Sequence, residues 1–287
     1  AVSGMNEEGL SVTINAAKSS IPYASATPVS LVAREILQYA KNIGEALAIA
    51  KSRKMFVSES FLVASANDNK AVIIEKTPDD IDVYDPHKDM IICTNHFQSN
   101  EFINSAKNKE QVQQSASAYR YERMMELLKA NGKNNVQKTI AILRDRRGVH
   151  NRDIGEGNEK AVNQLIAHHS IVFEPKKKLV WVSTAPWQLG QYVCYDLTKI
   201  FSLAGLKKNI EIIDSARTIA ADPFLYSYEY NKFIKFRTYK QTIMDGGTVN
   251  PDSVVASDPQ FYNAYVLAGD YCYKQKNGSV RENSCNG

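Results

Sequence analysis

Short segments in which apolar and polar residues alternate, rich in β-branched side chains and bounded by turn sequences, predict strands along the chain. Residues 10–17, LSVTINAA, follow the turn-forming GMNEEG, and Asn67-Asp68-Asn69 has the chemistry of a hairpin turn. The predicted strands cover residues 10–17, 61–66, 71–76, 90–94, 170–174 and 179–184.

Helical periodicity occupies the intervals between these strands. Thr27-Pro28 supplies an N-cap and a first-turn proline for a helix whose apolar residues, from Val29 to Ala40, share one face. A second helix is predicted over residues 44–53, and residues 118–145 predict two helices divided at Asn131-Gly132. Because strands and helix pairs come in blocks, the pattern favours α+β layers over a strictly alternating parallel sheet.

The character of the sequence changes near residue 207. Tyrosines become dense, and FYNAYVLAGDYCYKQK, residues 261–276, has the aromatic and alanine spacing of one helix of a helical hairpin. We therefore predict a domain over residues 1–206 and a mostly helical C-terminal extension, repeat-like in character, over residues 207–287.

Composition and charge exclude some classes of partner. With 44% apolar and 23% charged residues, the 287-residue chain has the balance of a folded protein. Its net charge of +4 is spread along the sequence, and the only basic cluster is Lys176-Lys177-Lys178, so we predict no nucleic-acid partner. No run approaches the roughly 18 apolar residues that span a bilayer. The chain begins AVSGMNEEGL, without an initiator Met, and we expect a processed or truncated start.

Metal and cofactor sites have little support in the sequence. The cysteines lie far apart and form no CxxC motif, although two of them, Cys272 and Cys285, could pair. His168-His169 has no acidic or sulfur ligand at a useful spacing, and neighbours on a strand would point to opposite faces. We predict no metal and no cofactor.

The segment MIICTNHFQ, residues 90–98, offers three candidate functional residues. Cys93 and His96 could be a nucleophile and its base. Three residues apart at a strand end, however, their side chains would not meet without a sharp turn, so a buried structural Cys93 is favoured. Asn95 could offer its amide N–H to a developing oxyanion, although taken alone a turn or capping role is commoner for such an asparagine.

Arg120 and Arg123, in SAYRYERMMELL, lie near one helix face at positions i and i+3. A solvated charged face is the usual explanation for such a pair. The functional alternative is an arginine whose planar fork anchors a catalytic carboxyl or carboxamide, or an acidic substrate.

Several short motifs gain meaning from their order: GMNEEGLSVTINAA, TPVSLVAREIL, ICTNHF, YRYERMMELL and HHSIVFEPKKKLVWVS. As a set, over residues 1–206, they resemble the family of autoproteolytic acyltransferases and hydrolases that includes the fungal acyl-CoA:6-aminopenicillanic acid acyltransferase. The motifs are more distantly similar to those of bile salt hydrolases and acid-ceramidase-like amidases. The resemblance implies an N-terminal-nucleophile (Ntn) hydrolase, with an α+β fold that forms a four-layer αββα sandwich.

In such enzymes a precursor cuts itself to free a cysteine, whose thiol attacks an amide or thioester carbonyl while its own α-amino group acts as base. By motif, Asn15 and Asn95 match the asparagines that help to build the oxyanion site, and Arg120 matches the arginine that orients the catalytic centre. We assign His96 and Arg123 to the substrate pocket or to its support.

The resemblance places the nucleophile several tens of residues before the GMNEEGL turn, and none of the four cysteines here is N-terminal. It therefore implies that the fold is N-terminally incomplete and that this polypeptide alone is inactive. Association with a segment or chain that supplies the nucleophile, or with further copies of this chain, stays open. On resemblance alone, a bacterial extracytoplasmic location is favoured.

Two hypotheses follow. In the first, the protein is an amide (C–N) hydrolase or acyltransferase that acts on an N-acyl amide or acyl-CoA-like small molecule through an acyl-cysteine intermediate. In the second, it is a catalytically silent scaffold that binds an acyl ligand or a protein partner. Pocket loops choose among substrates that share the same scissile chemistry, so these motifs do not select one substrate.

Overall fold

The computed structural model describes residues 2–18, 26–203 and 210–284. Its strands are β1 (Ser3–Met5), β2 (Leu10–Ala16), β3 (Glu59–Ser65), β4 (Lys70–Lys76), β5 (Ile81–Tyr84), β6 (Ile171–Glu174), β7 (Leu179–Ser183), β8 (Tyr192–Asp196) and β9 (Ile213–Ile219). Its helices are α1 (Val29–Tyr39), α2 (Ile43–Ser52), α3 (Ala106–Gln114), α4 (Ser117–Asn131), α5 (Val136–Leu143), α6 (Leu197–Ser202), α7 (Tyr228–Met244), α8 (Pro251–Ser257) and α9 (Tyr262–Ser284).

The first sheet is antiparallel, in the order β1-β2-β3-β4-β5, and helices α1 and α2 cover one of its faces. Alternate residues of the central strands point to this face and are fully or almost fully buried. They form one core with Val32, Ile36 and Met55. The alternation predicted from the sequence therefore produces this core face. The opposite face is buried as well at its centre, where Ser60, Ile73 and Glu75 are 0% exposed.

The opposite face of the first sheet carries a row of polar residues. Direct pairing places Asn15 opposite Ser60, Ser60 opposite Glu75, and Glu75 opposite Asp82. Because residues paired across antiparallel strands point to the same face, the four side chains lie side by side at one end of the sheet. This row includes a predicted site residue, Asn15.

The second sheet is also antiparallel, in the order β6-β7-β8-β9. Helix α5 packs on it through Ile140, which joins a cluster with Val172, Trp181 and Cys194. Strand β9 follows the predicted boundary at residue 207, yet it pairs with β8. The boundary residue itself falls in 204–209, outside the described residues.

The C-terminal part after β9 is helical, as predicted. Helices α7, α8 and α9 share a core around Phe236, Val254 and Phe261. They also pack on the loop that follows α5. Gly155 of that loop has φ +80°, and a Cβ built on it would lie 2.4 Å from the Phe261 backbone nitrogen. The close approach of the loop to these helices therefore requires glycine.

The α+β class, with two helix-covered antiparallel sheets and a helical C-terminal part, is confirmed. The predicted strand over residues 90–94 is wrong, because this segment has irregular backbone and β5 already ends the sheet. The carbonyl of Ile92 accepts a hydrogen bond from the Gln98 side chain, at 2.7 Å, instead of from a neighbouring strand. Ile92 and Thr94 are buried, at 3% and 5% exposure, and the other residues of the segment are half-buried without belonging to a strand.

Other details of the sequence reading also need correction. Helix α3 was not predicted, because its sequence, AKNKEQVQQ, is almost entirely polar. Helix α1 begins at Val29 after Pro28, and no side chain caps it, so Thr27 is not its N-cap. His168 and His169 lie in irregular backbone and are both exposed, so neither side chain points inward.

Candidate active site

The loop over residues 94–99 is fixed from two sides by buried polar groups. The Glu75 carboxylate, at the end of β4, accepts hydrogen bonds from the backbone N–H groups of Gln98 at 2.7 Å and Ser99 at 2.9 Å. Asn108, on α3, accepts from the Phe97 N–H at 2.8 Å and donates to the Phe97 carbonyl at 3.0 Å. The loop is therefore held to the first sheet on one side and to α3 on the other.

Burial raises the pKa of Glu75, while the N–H groups of the loop oppose that shift. Glu75 and Asn108 are 0% and 1% exposed. Neither residue was singled out from the sequence. The one available signal is a glutamate at the end of the apolar run VIIEK, where an unpaired carboxylate would be costly and a partner is therefore expected.

The Asn95 carboxamide has one defined orientation. Its Oδ1 accepts a hydrogen bond from Arg120 Nη2 at 2.6 Å, and its Nδ2 donates to the Ala16 carbonyl at 3.1 Å. An arginine can only donate and a carbonyl can only accept, so the oxygen and nitrogen cannot be exchanged. Nδ2 carries a second hydrogen, and no described residue accepts it.

Arg120 lies on α4 and bridges two segments. Besides Asn95 Oδ1, it reaches the backbone carbonyl of Glu159 through Nη1 at 2.7 Å. Burial lowers the pKa of Arg120, and the nearby Glu159 carboxylate opposes this shift. The guanidinium stays charged at neutral pH, because the usual pKa of arginine is above roughly 12. A positively charged group is therefore hydrogen-bonded to the oxygen of the Asn95 amide.

Asn15 is close to this group in the fold. It is half-buried on β2 and immediately precedes Ala16, whose carbonyl holds Asn95. No hydrogen bond links the Asn15 carboxamide to another described residue. The structure thus brings the three residues predicted to be catalytic, Asn15, Asn95 and Arg120, to one end of the first sheet.

His96 points away into a different set of contacts. Its Nδ1 lies 2.8 Å from Ser117 Oγ and 3.1 Å from Thr94 Oγ1. The same Ser117 hydroxyl accepts the Asn95 backbone N–H at 2.8 Å. Burial, followed by the charge of Arg120, lowers the pKa of His96, which keeps the imidazole neutral near pH 7. Ser117 therefore links the two neighbouring residues, although nothing in its sequence context indicated this.

Arg123 lies one helical turn from Arg120 but belongs to another network. Its guanidinium forms a two-point contact with Asp145, Nε to Oδ2 at 2.9 Å and Nη2 to Oδ1 at 2.8 Å. Nη1 contacts Glu126 at 3.0 Å. The side chain is 4% exposed, and its hydrogen bond with Asp145 is the largest cause that raises its pKa. The structure does not bring Arg123 together with Asn95.

None of the described cysteines has the environment of an activated nucleophile. Burial, and then the charge of Glu75, raises the pKa of the Cys93 thiol, and burial raises the pKa of Cys194 to about 11. A nucleophilic cysteine needs the opposite shift. Cys272 is exposed on α9. The suggested partner of Cys272, Cys285, lies outside the described residues.

Comparison with known proteins assigns the family. Residues 1–186 match the family described as acyl-coenzyme A:6-aminopenicillanic acid acyl-transferase. The chain belongs to this family. All five residues named from the sequence lie within the matched region. No curated protein matches the chain in sequence.

Among solved structures, this family member is similar to an arginine-to-leucine variant of conjugated bile acid hydrolase from Clostridium perfringens. The two are 14% identical, and the match covers 69% of this chain and 73% of that one, with a TM-score of 0.45. Within the described residues, no group of three or more His, Cys, Asp or Glu side chains is placed to hold a metal ion. No helix in those ranges is long and apolar enough to cross a membrane.

Proposed function

We propose that this chain carries the oxyanion-stabilising part of an acyl-transfer site. The reaction is hydrolysis or transfer of the acyl group of an N-acyl amide or acyl-CoA-like substrate, through an acyl-cysteine intermediate. The observation that carries the proposal is the arrangement of Asn95, whose oxygen is bound by Arg120 and whose nitrogen keeps a hydrogen for a further acceptor.

The geometry of Asn95 suits a developing negative charge. Preorganised donors in a site of restricted solvent access stabilise an oxyanion without reorganisation during the reaction. Arg120 withdraws electron density from the Asn95 oxygen, which makes its N–H a stronger donor. Asn15, one residue before the carbonyl that anchors Asn95, is proposed as the second donor.

The attacking thiol comes, in this proposal, from a cysteine other than those described. Cys93 and Cys194 have raised pKa values, and Cys272 lies on the C-terminal helix α9. We therefore expect none of these three thiols to attack the substrate, and we expect an active enzyme to use another thiol. Hydrolysis by the isolated chain, abolished by Cys93→Ala, would contradict this expectation.

The two remaining candidates have separate roles. His96 is proposed to line a substrate-binding cleft. Arg123 is proposed to support the site through the fold, since Asp145 and Glu126 take its hydrogen-bonding groups and leave little for a substrate.

The test is an isosteric replacement in the assembled, active enzyme. Asn95→Asp keeps the shape and the contact with Arg120 but removes both Nδ2 hydrogens. Loss of one oxyanion donor typically lowers kcat by roughly 10² to 10³, and we expect that loss with little change in KM. The matched control is Asn67→Ala, because Asn67 also donates to one backbone carbonyl, that of Lys41 at 2.8 Å, but is exposed in a hairpin turn. Equal kcat values for the two variants would refute the proposal.

A catalytically silent scaffold is the second candidate, and one observation favours it. The C-terminal helical part exposes several large aromatic side chains, as a partner-binding surface would: Tyr226, Tyr228, Tyr262, Tyr265 and Tyr273. If the assembled protein shows no turnover with N-acyl amides or thioesters, the scaffold hypothesis is favoured over the enzyme hypothesis.

A further inference from the structure

A cleft of about 440 Å³ opens beside the candidate site. Strand β5, the loop after Asn95 and helices α3 and α4 form its walls. Its volume falls in the range of small-molecule sites, roughly 300–1,000 Å³. The cleft is lined in part by Tyr84, His96, Ile103, Lys109, Val112 and Tyr121.

The charge of this cleft has one sign. Lys109 is the charged residue among those that line it, and no carboxylate lines it. The Lys109 ammonium is exposed, and no described residue pairs with it. The neighbouring Lys107 differs, because it forms an ion pair with Glu110 at 3.2 Å. An anion that enters the cleft therefore meets an uncompensated positive charge.

His96 contributes a hydrogen-bond donor. Its Nδ1 faces two hydroxyls, Ser117 at 2.8 Å and Thr94 at 3.1 Å, and these two lie 3.1 Å from each other. Both hydroxyls are buried, so each O–H needs an acceptor. One hydroxyl can donate to the other, but the second O–H is satisfied only if Nδ1 is the acceptor. The proton of the neutral imidazole then lies on Nε2, at the ring edge turned away from these hydroxyls.

The remaining lining is apolar and aromatic. Two aliphatic residues line the cleft: Ile103, which precedes α3 and is 46% exposed, and Val112, which lies on α3 and is half-buried. Tyr121 packs edge-on against the His96 ring, with the centroids 5.8 Å apart. A ligand body that covers this wall would remove apolar surface from water, which is favourable at about 25 cal/mol per Å².

We propose that this cleft binds a small carboxylic acid with an apolar or aromatic body. The acidic group is attracted by Lys109, an acceptor oxygen of the ligand takes the Nε2–H of His96, and the body packs on Ile103 and Val112. The cleft is linked to the Asn95 group through Ser117, which binds both Asn95 and His96. Only the identification of this acid as part of the substrate or product rests on the proposed function, since binding needs no turnover.

The test is a titration with phenylpropionate and two probes of similar size, phenylpropionamide and phenylpropylamine, by calorimetry at low ionic strength, where screening is weak. We expect the acid to bind more tightly than the amide, and the amine to bind weakest. An exposed ion pair contributes roughly 0.2–1 kcal/mol. Lys109→Met should therefore weaken binding of the acid by up to about fivefold and leave the amide unaffected, whereas the control Lys107→Met should change neither.

The His96 ring gives a second readout. A bound carboxylate near Nε2 favours the protonated imidazole, so the pKa of His96 followed by NMR should rise with phenylpropionate and not with the amide. His96→Phe should weaken binding of the acid. Equal affinity for the three probes, no binding of the acid, or a Lys109→Met effect no larger than that of Lys107→Met would each overturn the proposal. Binding as expected in a protein without turnover would leave the cleft assignment intact and refute only the acyl-transfer function.

Discussion

Replacement of Asn108 should destabilise the protein by disconnecting the site loop from α3. The Asn108 side chain is almost fully buried and spans two backbone segments. It accepts from the Phe97 N–H at 2.8 Å, donates to the Phe97 carbonyl at 3.0 Å, and donates to the Ile103 carbonyl at 3.3 Å. Asn108→Ala removes all three hydrogen bonds and supplies no replacement.

The magnitude follows from what is left behind. A buried backbone group that loses its partner costs roughly 1–3 kcal/mol, whereas an average hydrogen bond contributes about 1 kcal/mol net. The Phe97 N–H and carbonyl are both affected, and Phe97 is 0% exposed. The Ile103 carbonyl loses the longest of the three bonds, and Ile103 is partly solvated. We expect the free energy of unfolding to fall by roughly 2–4 kcal/mol.

Urea denaturation followed by circular dichroism measures this change directly. For a chain of this size each kcal/mol lowers Tm by roughly 2–4 °C, so thermal unfolding should shift by about 4–16 °C. The control is Gln114→Ala, an exposed position at the end of α3. Substitutions at exposed positions usually change the free energy of unfolding by no more than about 0.5 kcal/mol. If Asn108→Ala also stays within that limit, the loop is not held by this residue.

Three further predictions concern other buried groups. Burial raises the pKa of Glu59 from the usual 4.5 to about 7, so this group favours the folded state fully below pH 4.5 and loses that contribution as the pH rises to 7. In Glu59→Gln, the pH dependence of the free energy of unfolding, measured by urea denaturation, should be smaller by roughly 2–4 kcal/mol. An unchanged pH profile would contradict this prediction. Arg123→Met should lower the free energy of unfolding by roughly 3–5 kcal/mol, because the Asp145 carboxylate, only 12% exposed, loses its two-point partner. A near-neutral effect would show that solvent replaces Arg123 at Asp145. Gly155→Ala places a Cβ 2.4 Å from the Phe261 nitrogen at φ +80°, so limited proteolysis should cut the C-terminal helices faster, and an unchanged rate would refute the close packing.

Local pattern was sufficient for most secondary structure. Period-two alternation located β2, β3 and β4, and Gly132 with φ 58° ends α4 where the sequence placed the division. The pattern gave wrong predictions where an apolar segment is not a strand and where a helix has no apolar face. Residues 90–94 are buried or half-buried in irregular backbone and form no strand, and polar α3 is a helix without an apolar stripe.

The site shows the same division between local and tertiary information. The sequence by itself determined which residue types are present and, through ordered motifs, which of them to select: Asn15, Asn95, Arg120, His96 and Arg123. It did not determine their partners, because these come from distant parts of the chain. Asn95 is held by Ala16, 79 residues away, and Arg120 by Glu159, 39 residues away.

Only the tertiary structure separated the two arginines and oriented the asparagine. Arg120 and Arg123 share a helix and a spacing, yet one binds a carboxamide while the other faces Asp145. A hydrogen bond between side chains depends on positions fixed by packing to within a few tenths of an ångström. Periodicity fixes the face of a helix but not what lies opposite it. For that reason the fold, not the sequence pattern, decided how the Asn95 carboxamide is oriented and that its Nδ2 keeps one hydrogen free.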